Sequence, residues 1–514
     1  MTKLTKENDF IADSESGSFL FTLKNRGLLE KIIIREKISP DYKFQKSIYL
    51  GIDPSSRCLH LGHLIPLATL QRISSKLKLR GIVVIGKSTV LIGDPSDQLK
   101  KRKSISLKEV QINTAGIFKQ ISNLFHPRRK SKKKLDLILK KINPKKSFFS
   151  FPILANIENK TLRKKIQSLL PNGKANKKGD DNFYDIKSWE KIIIFSKNNP
   201  PEIMLNSQWL GRLRLINFLE RFIRLFPINS KLINRRRVRS KKETNFPLSE
   251  LLYPVIQAYD FFFLLGKKKC LAQIGGKDQL TNITLGLDLI KKKSKNEEWK
   301  KTWGVTTPLL IGKNKEKVGK TNSRQEKITI PNKTDNAFTF YHQLINLSDN
   351  SAKLLLNSIL DIPNNSWEML ANEILKQPKE KIAQKILAEA LTTHFFGKKE
   401  LWLILNLNNS LYKRRGQEKK YSKKDIKIFI EALTYFSLTK TTSQTTIGKI
   451  LLETEIFTKK RNVLLAIKNK KIKLDQEQVE SFWDKLVFFK KKKTFLLQVK
   501  KNFYVIQQKI PKAL

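Results

Sequence analysis

An apolar strand, a turn, a helix and a second apolar strand follow one another early in the chain. Ser47 to Gly51 has the length and apolarity of a buried strand, and Asp53-Pro54-Ser55 then marks a turn. Residues His60 to Leu79 are apolar at helical spacing, and Ile82 to Ile85 form a second strand-like run. A strand, a helix and a strand in this order are typical of a parallel crossover unit, which predicts an α/β fold.

Further strands and helices alternate after this unit. Helical spacing returns from Trp209 to Phe226 and from Leu248 to Leu264, and Leu271 to Ile274 is strand-like. We also expect a short amphipathic helix from Phe19 to Ile38. The alternation predicts a Rossmann-like, doubly wound α/β domain over residues 1–330.

Residues 103–205 are interpreted as a lysine-rich insertion in this domain. Between Lys100 and Asn206 the composition shifts to Lys, Asn, Ser and Pro, and Gly, Asn, Lys and Asp cluster from Pro171 to Asn182. Such clusters are typical of loops, so part of the insertion is expected to be mobile.

Two smaller domains are expected to follow. Residues 331–424 carry successive helical patterns without strand alternation, which predicts an α-helical domain. Residues 425–514 combine two short basic helices with strand-like runs at Thr494 to Val499 and Phe503 to Gln507. The two runs suggest a hairpin in a small basic α+β module.

The charge of the chain is strongly positive, with 102 Lys and Arg against 45 Asp and Glu, or +57. Such a surface attracts polyanions, and nucleic acid is the natural partner. A codon bias toward AT-rich codons would also fill exposed positions with Lys. The charge alone therefore leaves both explanations open.

Several classes of protein are excluded or disfavoured by composition. The two cysteines, Cys58 and Cys270, are too few for a disulfide framework and lack a histidine cluster for zinc. No stretch approaches 18 consecutive apolar residues, so no membrane span is expected. The two cysteines fit a reducing cytoplasm. The first 15 residues include Glu7, Asp9, Asp13 and Glu15, which argues against both a secretory signal and a basic transit peptide.

The most informative motif is Asp53-Pro54-Ser55-Ser56 followed by His60-Leu61-Gly62-His63 at the strand-to-helix junction. A helix start exposes N–H groups and positive dipole that suit a phosphate. Gly62 would let an adenine ring approach the backbone, and both imidazoles can donate to a phosphoryl oxygen. A histidine near a helix start could equally cap the helix or pack.

A second motif, Lys317-Val318-Gly319-Lys320-Thr321, follows the apolar run Pro308 to Ile311. Two lysines beside a glycine can close over a triphosphate and neutralise the charge on the transferring group. In a chain this rich in lysine, such a pentapeptide also arises by chance.

Together the two motifs resemble the HIGH and KMSKS signatures of class I aminoacyl-tRNA synthetases, here HLGH and KVGKT. Glycine before the second lysine is typical of the bacterial tyrosyl branch. Further segments resemble that branch in order and spacing, and the resemblance extends from Phe19 to Gln507: Tyr49-Leu-Gly-Ile-Asp53-Pro, Leu91-Ile-Gly-Asp94-Pro-Ser96, Asn206-Ser-Gln-Trp209-Leu-Gly211, Gln257-Ala-Tyr259-Asp260 and Gln273-Ile-Gly-Gly-Lys-Asp278-Gln279.

The resemblance implies a tyrosine–tRNA ligase that binds L-tyrosine, ATP and tRNA(Tyr), with Mg²⁺ accompanying ATP and no structural metal, and that works as a homodimer. By the same resemblance, Tyr49 and Asp260 would hydrogen-bond the substrate phenol. Four residues would hold the tyrosine ammonium and backbone: Asp94, Tyr253, Gln257 and Gln273.

The ATP site implied by the resemblance has three parts. Residues at the adenosine, ribose and α-phosphate would be Gly51, Asp53, Gly62, Gly276, Asp278 and Gln279. Ser55, His60 and His63 would face the ATP phosphates. Lys317, Lys320 and Thr321 would close from the other side, so the catalytic group comprises the two histidines and these three residues.

Some positions depart from the family pattern. The usual mobile-loop cation after Asp94 is shifted or shared among Lys100, Lys101 and Arg102. The insertion is longer than in relatives and includes the region that forms the family's dimer interface.

The C-terminal domains also resemble family parts. Phe340-Tyr341 and the run Ala383 to Gly397 resemble the α-helical anticodon-binding domain. The last module is similar to an S4-type RNA-binding domain, although Lys468-Asn469 replaces its usual Gly-Gly turn.

The sequence also bears on two other functions. A tryptophanyl enzyme is disfavoured by Tyr49 with Asp260 and by the S4-like end. A synthetase-like RNA-binding protein, such as an intron-splicing cofactor, stays open as an additional role.

Overall fold

The computed structural model describes residues 15–34, 46–93, 105–126, 157, 159–170, 192–195, 199–226, 248–294, 297–311, 328–332, 335–412, 434–438, 446–454, 456, 460–474, 477–481, 494–499 and 502–508. Three predicted features lie outside these residues: Asp94, the cations Lys100 to Arg102, and the lysine motif Lys317 to Thr321.

In the described part of the first domain, six strands form one sheet: β1 (Lys31–Ile34), β2 (Ser47–Ile52), β3 (Arg80–Ile85), β4 (Glu202–Leu205), β5 (Cys270–Gly276) and β6 (Trp303–Thr307). Their order is β1-β6-β5-β2-β3-β4, with β1 antiparallel to β6 and all other pairs parallel. From β2 the chain moves outward through β3 and β4, then returns to the other side of β2 with β5 and β6. The predicted doubly wound fold is confirmed, and its topological switch point lies between β2 and β5.

The helices of this part are α1 (Glu15–Asn25), α2 (Leu64–Lys76), α3 (Thr89–Ile92), α4 (Leu107–Phe125), α5 (Lys160–Leu169), α6 (Ser207–Leu210), α7 (Leu215–Arg221), α8 (Leu248–Lys268) and α9 (Leu280–Lys293). Short 3₁₀ turns occur at Leu61–His63, Ile223–Leu225, Lys277–Gln279 and Glu297–Lys301. Every residue of β3 after Arg80 is buried, as expected for a central parallel strand covered on both faces. Within the described ranges, no helix has the length and apolarity that a membrane crossing requires.

The prediction of one helix from Phe19 to Ile38 is wrong. Helix α1 ends at Asn25, Gly27 follows at φ 76°, and Lys31–Ile34 is a strand paired with β6. The periodicity of a short apolar run does not distinguish a helix from a strand. Here the run forms a strand because it pairs with the edge of β6. The stretch from Trp209 to Phe226 likewise divides into α6, α7 and a 3₁₀ turn.

The predicted helical domain is present as five helices in the described residues: α10 (Ala337–Ile345), α11 (Asp349–Ile359), α12 (Asn364–Lys376), α13 (Ile382–Phe396) and α14 (Lys398–Tyr412). Helix α13 contacts α10, α11 and α14, and its residues from Ile382 to His394 are buried except Lys385. A helix buried on nearly all sides is the centre of such a bundle.

Two arginines of the first domain bind the end of α11. Arg72 of α2 donates to the carbonyl oxygens of Ser358 and Leu360 and forms a 2.9 Å ion pair with Asp361. Arg26, after α1, donates to the Asn357 side chain and to the Ile362 carbonyl. Burial lowers the pKa of Arg72, but Asp361 opposes this shift, and the guanidinium neutralises the negative end of α11.

The described C-terminal residues form a sheet in the order β7-β11-β10-β8-β9: β7 (Thr434–Leu438), β8 (Ile472–Leu474), β9 (Glu477–Gln478), β10 (Thr494–Val499) and β11 (Asn502–Gln508). Helices α15 (Ile447–Glu453) and α16 (Lys460–Lys468) accompany it. The predicted hairpin is confirmed, since β10 and β11 pair antiparallel. These elements have their own apolar core, which includes Ile450, Val463 and Leu497.

The helix ends suggest a stabilising substitution. Lys78 and Lys269 follow α2 and α8 at φ 53° and 50°, in the left-handed region where glycine is usual. We expect Lys78→Gly and Lys269→Gly each to raise the free energy of unfolding by about 1 kcal/mol. Thermal unfolding measures this, with Lys267→Gly inside α8 as a control that should lower the stability. A loss of stability in Lys78→Gly would contradict the expectation.

Candidate active site

The candidate site lies where β2 and β5 end, at the switch point of the sheet. Tyr49, Gly51 and Asp53 are spaced two apart, so they face the same side of β2, and Tyr49 is the register partner of Gln273 in β5. Gly51 is the exposed residue of an otherwise buried strand, and a Cβ there would meet nothing within 4 Å. The face above Gly51 therefore has open space for a ligand.

Two buried polar atoms at the inner end of this face lack a partner. The Tyr49 side chain is 1% exposed and its hydroxyl makes no hydrogen bond to any described residue. The buried Oε1 atom of Gln273 also accepts no hydrogen bond from any described residue. A buried polar atom without a partner costs about 1–3 kcal/mol, so two on adjacent strands indicate a place for polar atoms of a ligand.

Asp260, on α8, is the acidic group of this inner end. Its carboxylate accepts from Trp209 Nε1 at 2.6 Å and from Asn206 Nδ2 at 3.2 Å. Burial raises its pKa from 3.8 to about 7, the two hydrogen bonds oppose that shift, and the charge of Asp53 adds to it. Burial and the charge of Asp260 also raise the pKa of Tyr49, so that phenol stays protonated and can donate.

Asp53 is held at the outer end by two hydroxyl groups. Thr89 Oγ1 donates to Asp53 Oδ1 at 2.8 Å, and the Tyr253 hydroxyl donates to Oδ2 at 2.9 Å. Asn206 Nδ2, which donates to Asp260, also donates to Thr89 Oγ1 at 3.1 Å. The Asn206 amide therefore links Asp260 to Thr89, which in turn donates to Asp53. A Cβ on Gly86 would overlap the Asp53 carboxylate, so this position requires glycine.

The remaining predicted residues of the adenylate side form a cluster after β5. Gln257 Nε2 donates to Gln279 Oε1 at 3.3 Å, and Asn282 donates to the side-chain oxygens of both, at 3.0 and 2.9 Å. Asp278 and Gln279 lie on the 3₁₀ turn that begins after Gly276. The structure thus brings Gln257 of α8 to the carboxyl end of β5.

The histidine motif forms the start of the helix that follows β2. His60 Nδ1 accepts from the Gly62 N–H at 3.1 Å, His63 Nδ1 accepts from the His60 N–H at 3.2 Å, and the ring centroids are 4.0 Å apart. Both rings therefore cap the turn, and a neutral ring that accepts through Nδ1 carries its proton on Nε2. An imidazole in that tautomer can donate through Nε2 to an anion. His63 Nδ1 also lies 3.3 Å from the His60 carbonyl oxygen, to which the other tautomer would donate. Ser55 lies exposed in the preceding turn.

Both ends of the segment that contains the lysine motif lie on the histidine motif. The Leu61 N–H donates to the Ile328 carbonyl at 3.0 Å, and the Ile330 N–H donates to the Leu59 carbonyl at 2.8 Å. Before the segment, Leu310 approaches Gly62, where an added Cβ would lie 3.7 Å from the Leu310 Cβ. The described residues on either side of 312–327 therefore both lie at the histidine motif.

Three side chains of this network, Thr89, Asn206 and Trp209, were not predicted as site residues. Asn206 and Trp209 belong to one segment that resembles the family, although the resemblance implied no role for either. Thr89 and Asn206 follow the carboxyl ends of β3 and β4, the edge of a parallel sheet at which ligands bind. Applying that rule to every strand would have identified both.

Comparisons with known proteins identify the family of the chain. Residues 44–413 match the family described as tRNA synthetases class I (W and Y). Tyrosine–tRNA ligase 1 of Bacillus subtilis is 27% identical over 465 residues, 90% of this chain and 92% of that protein. The tyrosine–tRNA ligase of Wigglesworthia glossinidia brevipalpis is 28% identical over 498 residues, 94% of this chain and 98% of that protein.

A solved structure has a similar fold. The C-terminally truncated mitochondrial tyrosyl-tRNA synthetase of Aspergillus nidulans superposes with a TM-score of 0.53 at 19% identity, over 79% of this chain and 99% of that one. Because the family match covers more than half of the sequence, the chain belongs to the class I tRNA synthetases of the W and Y family.

Proposed function

We propose that the chain is a tyrosine–tRNA ligase, which activates L-tyrosine with ATP and transfers the tyrosyl group to the 3′ end of tRNA(Tyr). The observation that carries this proposal is the Tyr49 hydroxyl, which has no hydrogen-bond partner among the described residues and lies near the Asp260 carboxyl, whose pKa burial raises to about 7. The names of the two bacterial relatives support it.

Hydrogen bonding distinguishes tyrosine from tryptophan, the two amino acids of the family. A phenol both donates and accepts, so it can donate to Asp260 and accept from Tyr49. An indole N–H only donates, and a phenyl ring does neither. Tryptophan would leave the Tyr49 hydroxyl unpaired. Phenylalanine would leave that hydroxyl unpaired and would also give Asp260 no donor, which costs free energy in a buried pocket.

The remaining tyrosine contacts are proposed for Asp94, Tyr253, Gln257 and Gln273. Gln273 Oε1 is a buried acceptor suited to the ammonium or another donor. The Tyr253 hydroxyl donates to Asp53 here, so it would orient that carboxylate as well. Asp94 lies outside the described residues.

In the first step, the tyrosine carboxylate attacks the α-phosphorus of ATP, an O–P bond forms, and pyrophosphate leaves. We assign the adenosine side to Gly51, Asp53, Gly62, Gly276, Asp278 and Gln279. Ser55, His60 and His63 face the phosphates, with the histidines donating through Nε2. These residues position the substrates and stabilise the charge on the phosphates, and none of them acts as a covalent nucleophile.

The lysine motif would complete the phosphate site. Lys317, Lys320 and Thr321 belong to the segment whose two ends lie on His60–Gly62, so closure of that segment would bring cations to the β- and γ-phosphates. Mg²⁺ would arrive with ATP on the phosphates. Within the described ranges, no group of three or more His, Cys, Asp and Glu side chains could hold a metal by itself.

In the second step, a ribose hydroxyl of the terminal adenosine of tRNA attacks the carbonyl carbon of tyrosyl-adenylate, an ester forms, and AMP leaves. We assign anticodon binding to the helical domain, residues 331–424, and further RNA contacts to the S4-like module, residues 425–514. Exposed cations on and after α16, among them Lys468, Lys470 and Lys471, support RNA contact by that module.

A homodimer is the proposed assembly. Helix α4 exposes Leu107, Ile112 and Phe118, and α7 exposes Leu215, Ile216 and Leu219, with relative exposures from 40% to 72%. Large apolar side chains this exposed are typical of an interaction surface.

The direct test is tyrosine-dependent ATP–pyrophosphate exchange by the purified protein. We expect exchange with tyrosine and little with tryptophan or phenylalanine, because only the phenol pairs with both Tyr49 and Asp260. Equal exchange with tryptophan, or none with tyrosine, would refute the proposed function. RNA binding without any exchange would favour an RNA-binding role instead.

The pKa of Asp260 predicts a pH dependence of tyrosine binding. The phenol donates to the ionised carboxyl, so binding is favoured above a pKa of about 7 and lost as the carboxyl is protonated below it. We expect the affinity to be about tenfold higher at pH 8 than at pH 6, measured by calorimetry without ATP. Asp260→Asn should bind tyrosine about tenfold more weakly at pH 8, and its affinity should not change with pH.

The control is Glu220→Ala, which removes an exposed acid of α7. A wild-type affinity for tyrosine that does not change with pH would contradict the assignment.

Lys320→Ala should slow adenylate formation by about a hundredfold and leave tyrosine affinity unchanged, because the lysine acts on charge at the transferring phosphate. Single-turnover kinetics and equilibrium binding separate the two effects. Lys313→Ala removes a neighbouring charge in the same segment and should retain the wild-type rate. Equal losses in the two variants would show that only the overall charge of the segment matters.

A further inference from the structure

Parts of the lysine-rich insertion pack against the helical domain. We call these residues the strap: Ile157, residues 159–170 with helix α5, and residues 192–195. Although the strap belongs to the insertion of the first domain, its contacts lie on α11, α12 and α13. It therefore connects two domains that are distant in sequence.

Helix α5 packs along α12. Leu162, Ile166 and Leu169 of α5 are buried, whereas the neighbouring Lys164 is exposed. Lys165 Nζ lies 2.7 Å from Glu373 Oε1 of α12, whose side chain is only 8% exposed. A nearly buried carboxylate needs such a cation, so this ion pair fixes the position of α5 on α12.

The second part of the strap adds backbone pairing. Ile193 forms an antiparallel bridge with Leu360, the Ile194 N–H donates to the Ile359 carbonyl at 2.9 Å, and the Asp361 N–H donates to the Ile192 carbonyl at 2.7 Å. All of residues 192–195 are buried. Backbone pairing fixes the register of this segment on the turn between α11 and α12.

Phe195 joins three elements at the end of the strap. Its ring meets Phe125 of α4 edge-on at 5.5 Å and lies 6.1 Å from His394 of α13. His394 Nε2 lies 2.7 Å from the Leu124 carbonyl of α4, so the first domain and the helical domain also touch directly there. Phe195 covers this contact.

The same α11–α12 turn is bound from the first domain by Arg72. Arg72 contacts Ser358, Leu360 and Asp361, and it lies on α2, the helix that begins at the histidine motif. The turn is therefore held by the strap and by α2 together. Loss of the strap would leave the hydrogen bonds of Arg26 and Arg72, the contact of His394 with the Leu124 carbonyl, and the Ser351 hydroxyl that donates to the Ile311 carbonyl at 2.8 Å.

We infer that the strap is a positioning element for the transfer of the tyrosyl group to tRNA, and that adenylate formation does not depend on it. This inference rests on the proposed function. Tyrosine and ATP meet at the ends of β2 and β5, whereas a tRNA that contacts a helical domain must place its 3′ end in an active site of the proposed dimer. Only the second reaction needs the two domains in a fixed relation.

The test uses the full chain with two strap substitutions, Ile166→Ala with Phe195→Ala. Tyrosine-dependent pyrophosphate exchange and tRNA charging are measured on the same preparation. We expect exchange within twofold of the wild type and a kcat/KM for tRNA that falls about tenfold or more, since misplacement of a substrate by a small distance has effects of this size. Lys165→Ala should show a smaller loss in charging, and Lys164→Ala, its exposed neighbour on α5, should show none.

Hydrogen exchange provides a readout that is independent of the reaction. In the double variant, peptides that contain Ile194 and Asp361 should exchange faster, while peptides of β2 and β5 should not change. A parallel loss of exchange activity and charging would overturn the inference, as would unchanged charging with faster hydrogen exchange. If the wild type lacks tyrosine-dependent exchange, the proposed function fails, and hydrogen exchange still tests whether the strap holds the α11–α12 turn.

Discussion

The site depends on two carboxylates held close together in a largely buried space. Burial makes ionisation of Asp260 harder, and the charge of Asp53 adds to that cost. Donors from two strand ends and one helix stabilise the two carboxylates: Asn206 and Trp209 after β4 donate to Asp260, and Thr89 after β3 and Tyr253 on α8 donate to Asp53. Removing any one of these donors would change the charge state on which recognition of a phenol depends.

Much of this architecture is predictable from the sequence. The crossover from Ser47 to Ile85 has strong local periodicity, and the order of the motifs identifies the family before any contact is known. The edge strand β1 was not predictable, because Lys31–Ile34 is decided by pairing with β6, which lies far away in sequence. The roles of Thr89 and Asn206 also arise only when strand ends meet in space.

The insertion also makes contacts that its sequence does not predict. Its composition indicates loops, and nothing in the periodicity of residues 192–195 predicts backbone pairing with Leu360. Tertiary contact turned a short apolar run into a link between domains. The two arginines are similar: Arg26 and Arg72 resemble ordinary surface cations in the sequence, yet they bind the carbonyl oxygens at the end of α11.

The pairing of Leu59–Leu61 with Ile328–Ile330 has an evolutionary consequence. The free energy needed to close a loop grows only with the logarithm of its length, so the number of residues between Ile311 and Ile328 can change at little cost in stability. Leu61→Pro or Ile330→Pro would instead remove one of the two N–H donors and weaken the pairing. Selection should therefore act more strongly on the paired residues than on the number of residues between Ile311 and Ile328.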